Sequence, residues 1–283
     1  SSPSRGLGDV YKRQADANTA VGYAAASSAT TGGNNTVLGY AALQLTTTGI
    51  SNTAVGALCM QQNTTASNNT AVGDSALRYN TTGDSCVAVG AFALDANTTG
   101  TDLTAIGTSA LGANTTANYN LAVGKNSLRL NTTGSNNTSV GTFALDKNTT
   151  ASNNTALGYA ALNENTTGQS NVAVGAGALD ACTTGNDNIA IGHNSLTTST
   201  DASNNTAVGG AALRYNTASN NTAFGRLALG ANTTGAYNVA VGSNTLDANT
   251  TGTQNVAVGM HALGGNTTAA NNTAVGHDAL KAN

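Results

Sequence analysis

The chain has 283 residues, of which only 8% are Asp, Glu, Lys or Arg, against roughly a quarter in ordinary globular proteins. Ten basic and thirteen acidic residues, a net charge of −3, leave no electrostatic footprint for a nucleic-acid backbone or an anionic membrane surface. No stretch approaches the ~18 consecutive apolar residues of a membrane span, so neither nucleic acid nor membrane insertion is expected.

Residues 1–17 stand apart from the rest of the chain. They hold the single proline, Pro3, together with Arg5, Lys12 and Arg13, and are expected to be an artefactual or disordered leader. From Asn18 onward one glycine recurs at 22, 39, 56, 73, 90, 107, 124, 141, 158, 175, 192, 209, 225, 242, 259 and 276. The spacing is 17 residues every time except Gly209 to Gly225, where NTASNNT (216–222) is one residue shorter than NTTASNNT (148–155). Residues 18–283 are thus sixteen repeats of N-T-A-V-G-x-x-A-L-x-x-N-T-T-G-x-N, numbered one to seventeen from Asn18. The last repeat stops at position twelve, which reads as a truncation.

Within the repeat, NTAVG reads as a short strand. Positions two and four carry only Thr, Val, Ile, Leu or Phe; they share a face, and their β-branched character suits a pleated surface. That face is expected to be the interior, with Val72, Val89 and Ile106 in one inner column. Ala at position three and Gly at position five are then the outer face, small enough to let another copy of the chain approach, with Ala122 and Ala173 in that seam. Leu at position nine, present in fourteen repeats, is the second core residue. GxxALxxN is too short to separate a second strand from a helical turn by its period. The NTTG loop comes next, built of turn formers. One repeat cannot bury enough apolar surface to fold alone, so repeats must stack, and the Asn columns at positions one and twelve can pair amides along the stack. The expected fold is all-β, a parallel β-solenoid of sixteen coils. Leucine-rich repeats are excluded by the shorter period and single leucine, and the calcium-binding roll by its missing nonapeptide.

NTAVGYAAA (18–26), NTTASNNTAVG (63–73) and NTTASNNTALGYAALNENTTG (148–168) resemble the 17-residue repeats of bacterial and phage tail-fibre-like proteins. More distantly, N-T-A-V-G is similar to the S-V-A-I-G core of trimeric autotransporter adhesin heads. The resemblance implies a left-handed roll, a homotrimer, and an extracellular place on a bacterial surface or phage virion. The implied function is a structural and adhesive shaft that spaces or presents an element binding a host-surface glycan or protein. An ice- or crystal-binding solenoid is the alternative, suggested by the threonine columns. It is disfavoured if the position-two threonines face inward, which leaves the loop threonines at thirteen and fourteen as its candidates.

Titratable groups are scattered. Asp95, Asp146, Asp180 and Asp247 share position ten with Arg78, Arg129, Arg214 and Lys281, as expected of a solvated, variable face. His261 and His277 lie on adjacent coils and His193 on another, and a metal or anion site there needs supporting partners the sequence does not supply. Tyr23, Tyr40 and Tyr159 with Phe92 and Phe143 are expected to cover the apolar edge, with a sugar-binding stripe as the alternative. Cys59, Cys86 and Cys182, odd in number and without CxxC spacing, read as inert small residues. No catalytic, cofactor-binding or metal-binding residue is assigned, and no enzymatic activity is expected.

Overall fold

The computed structural model describes residues 17–282; the leader reading, Ala17 apart, lies outside the described residues. The chain divides into two compact units, 1–122 and 123–283, each built to one plan. The NTAVG segments form sixteen three-residue strands, from β1 (Thr19–Val21) to β16 (Thr273–Val275). Neighbouring strands pair in parallel at the register of the repeat: Val72 lies against Val89 and Val89 against Ile106 in the first unit, and Val172 against Ile189 in the second. The protein is a parallel β-solenoid, and the period alone set its register.

The inside and outside of the strand are the reverse of the sequence expectation. Position-three alanines such as Ala71, Ala88, Ala122 and Ala173 are completely buried, while Val72, Val89 and Ile106 stack in one column on the outside, 36–41% exposed. Parity explains the reversal. Asn at position one is buried within the stack, for example Asn69, Asn154 and Asn188, and side chains two apart on a strand share a face, so Ala at position three must follow it inward. The coil is also thin. Leu at position nine fills it from the opposite wall (Leu77, Leu145 and Leu162 are buried), which leaves room for a methyl group on the strand side and not for a valine. Two serines break the pattern together: Ser139 replaces the position-three alanine, and its hydroxyl pairs with that of Ser127, the serine at position eight of the preceding coil (2.7 Å).

GxxALxxN is neither strand nor helical turn. It is a run of tight turns in which positions seven and nine sit in the left-handed region, as Ala160 (φ 51°) and Leu162 (φ 52°) do. For non-glycine residues that conformation costs roughly 1–2 kcal/mol. Burial of the leucine contributes roughly 1.5–3 kcal/mol, and its amide reaches the next coil, Leu162 N to Ala178 O at 3.0 Å. Tertiary packing therefore overrides local preference here.

The asparagines hold the coils together. Asn137 Oδ1 accepts from the backbone N–H of Asn154, and Asn154 Oδ1 from that of Asn171 (3.0 and 2.9 Å). At position twelve, Asn148 Nδ2 donates to Asn131 Oδ1 and Asn165 Nδ2 to Asn148 Oδ1 (2.8 and 2.9 Å). Both columns meet at the carbonyl of position fifteen: Gly168 O accepts Asn154 Nδ2 and Asn165 Nδ2 at 2.8 and 2.9 Å. The shortened coil keeps this arrangement, because Asn216 Nδ2 turns to Ala218 O, two residues on instead of three, while its Oδ1 still receives Asn232 Nδ2.

Asn148→Ala removes three buried side-chain hydrogen bonds. It should lower unfolding free energy by about 2–3 kcal/mol, read by urea denaturation. At position five, Gly158 has φ +136°, and a Cβ there would stand 2.7 Å from the main chain of Gly175, whereas Gly210 at position six has open space around it. Gly158→Ala is expected to cost about 3 kcal/mol or more. Gly210→Ala should be neutral or stabilise by up to about 1 kcal/mol.

Candidate functional site

Variable side chains occupy the outer face of the sheet, the turn at positions six and seven, and the column at position ten. The sheet face is apolar and regular. In the second unit Leu157, Ile189, Ile191, Phe224, Val241, Val256 and Val258 are all exposed, alternating along the strands with Thr155, Thr206 and Thr222 at position two. Sequence reasoning placed these residues inside. Their variability was the available signal, since position three admits almost nothing but Ala and position two admits four residue types. The seam expected from Ala122 and Ala173 does not exist, because both methyl groups point into the coil.

Some position-ten residues bond from coil to coil, in the run Gln44, Gln61 and Arg78 and at Arg129 and Asp146. Gln61 Nε2 donates to Gln44 Oε1 (3.1 Å), Arg78 Nε to Gln61 Oε1 (3.3 Å), and Arg129 grips Asp146 through Nε and an Nη atom at 2.8 and 3.2 Å. Asp146 is buried beneath the half-exposed guanidinium, and that bond raises the Arg129 pKa. Beside it, at position eleven, Lys147 Nζ meets Glu164 at 2.6 Å. Two carboxyls have pKa values above the usual range. Burial raises Asp95, with Arg78 pulling it part of the way down. Burial also raises Asp180, with Glu164 adding to it and Lys147 opposing.

The other candidates are brought together less productively. His261 and His277 stand edge to face, ring centroids 6.5 Å apart. Asp278 beside them is bonded to Lys281 (3.1 Å), and this holds its carboxyl below the usual value, with His277 contributing. His193 is exposed on a different coil. Among the described residues, no group of three or more His, Cys, Asp or Glu is placed to hold a metal ion. Tyr23 and Tyr40 stack with centroids 5.6 Å apart and Tyr159 packs on the edge of Phe143 at 6.1 Å, while Phe92 is exposed. The three thiols are buried and unpaired with one another. Burial pushes Cys59 and Cys86 up to about 12 and Cys182 up to about 11, so they stay protonated and unreactive.

The position-thirteen threonines make the most uniform column. Thr132 Oγ1 donates to Thr149 O, Thr149 Oγ1 to Thr166 O and Thr166 Oγ1 to Thr183 O, all at 3.0–3.1 Å. Those hydroxyls are thereby committed to the main chain, whereas Thr200 Oγ1 donates to Asp201 Oδ1. No helix among the described residues is long and apolar enough to cross a membrane. Compared with family models, curated proteins and solved structures, the chain matches none of them.

The raised carboxyls give stability a pH dependence with a definite sign. Asp95 and Asp180 hold a proton more tightly in the folded chain than in the unfolded one. Stability therefore rises as pH falls through their folded pKa values, and the gain is complete below the ordinary carboxylate value. Asp95→Asn and Asp180→Asn should raise Tm at neutral pH, with the difference from wild type closing as the medium is acidified. Thermal melts across that pH range check it.

Proposed function

We propose that the chain is a structural and adhesive shaft of an extracellular assembly, a bacterial surface adhesin or a phage tail fibre, acting through stiffness and through association with copies of itself. The observation that carries this reading is the exposed sheet face. A monomer usually exposes apolar patches of a few hundred Å² at most, yet here coil after coil adds a half-exposed Val, Ile, Leu or Phe side chain to the same surface. In this reading three chains surround one axis, as the tail-fibre and adhesin resemblance implies, with positions two and four in the seam. A host-surface glycan or protein is engaged by elements the shaft presents, and the chain performs no catalysis of its own.

Sedimentation of the repeat region tests the seam. Wild type is expected to run as a trimer. Ile191→Arg with Val258→Arg should give monomers with unchanged circular dichroism, because each arginine puts an unpaired charge into an apolar contact. A wild-type monomer, or a trimer indifferent to both changes, overturns it.

The outward threonines favour a second reading, an ice- or crystal-binding face. Thr155, Thr206 and Thr222 lie on the partly exposed side of their strands, which removes the objection that they point inward. Thermal hysteresis separates the readings: the shaft predicts none, and a clear freezing-point gap lost on replacing these threonines by bulkier residues would favour the alternative.

A further inference from the structure

The ladder at position ten is interrupted at Gly230. On the preceding coil stands Arg214, on the following coil Asp247, and between them the missing side chain leaves a cleft of about 290 Å³ lined by Arg214, Tyr215, Leu227, Gly230, Ala231 and Asp247. The column also has a glycine at Gly112, between Asp95 and Arg129, but there Arg129 is already held by Asp146. Here two opposite charges line the cleft from the coils on either side of Gly230, a backbone separation of roughly 10 Å at two strand spacings. Among the described residues neither forms an ion pair. Arg214 rests its guanidinium 5.1 Å above the ring of Tyr215, a cation–π contact that fixes it on its own wall. Asp247 leans the other way, with Oδ1 3.4 Å from where a Cβ of Gly264, the next glycine of the column, would lie. The floor, Gly230, is buried, and Leu227 closes one side with apolar surface.

We propose that this cleft binds a small zwitterion, an amino acid whose carboxylate pairs with Arg214 and whose ammonium pairs with Asp247, its short chain lying over Gly230 against Leu227 and Tyr215. A ligand with one charge satisfies one wall only. A ligand with both replaces the missing rung, and its two charge-assisted contacts are stronger than neutral hydrogen bonds. The site is independent of the shaft reading, since its residues lie at positions seven, ten and eleven, away from the sheet face.

The probe is β-alanine, with acetate and ethylammonium as single-charge controls, titrated into the full chain and followed by amide NMR. Saturable shifts are expected at Gly230, Ala231 and Tyr215 with β-alanine, with an affinity at least about tenfold above either control. Gly230→Gln should abolish binding by supplying a side chain that spans the gap. Its backbone torsion is ordinary, and a Cβ there meets only Leu227, whose carbonyl oxygen is nearest at 3.1 Å, so the coil should still form. Asp247→Asn, which leaves the cleft's shape intact, should weaken β-alanine to the level of acetate. Absence of a saturable shift, equal response to acetate, or binding retained in Gly230→Gln overturns the proposal.

Discussion

Each coil depends on burying amides and giving nearly every amide group a partner, the Oδ1 atoms of Asn63, Asn165 and Asn266 being exceptions. A buried polar group without a partner costs on the order of 1–3 kcal/mol, and this chain buries two asparagines in nine of its repeats. It can do so because translation along the stack presents each amide with an identical neighbour at strand spacing. The carbonyl at position fifteen, taking Asn154 and Asn165 in one coil and Asn238 and Asn249 in another, uses both its lone pairs and ties the strand to the far loop. That requirement fixes the direction of every other side chain: Asn inward at position one puts Ala inward at three and expels two and four.

Once the sheet face is outside, chemistry divides cleanly between the surfaces. The interior columns are uncharged, and even the cysteines fit, Cys86 standing where an asparagine usually stands and making the same contact, its backbone N–H donating to Asn69 Oδ1. The sheet face carries apolar bulk. The position-ten column carries eight of the charged side chains, and Arg129 and Asp146 pair within it.

Parallel strands, register and the leucine core were legible in the sequence, because a strict 17-residue period leaves stacking as the only way to bury a short repeat. The face assignment was not read correctly, although the cue was present. Ala71 and Ala88 occupy a position that tolerates almost no variation, and constraint of that kind marks a filled interior, whereas the mixture of Thr70, Val87 and Ile189 marks a surface. Hydrophobicity misled where variability would have served. The turns after the glycine were illegible for a different reason. Leucine disfavours positive φ, so no local rule places Leu162 there, and only the hydrogen bond to the next coil and the packing of the stack hold it. The paired serines Ser127 and Ser139 and the interrupted ladder at Gly230 appear only when residues one coil apart are set side by side.

The shortened coil at 216–222 shows that a residue can be lost from the loop while Asn221 keeps its partners on both sides and Asn216 its partner on the following coil. Each coil answers only to its two neighbours. In a gene made of near-identical segments, unequal crossing-over adds or removes whole coils. Because every junction it creates has the same cross-section and the same amide contacts, length becomes a quantity that heredity can adjust in steps of one repeat while the fold stays fixed.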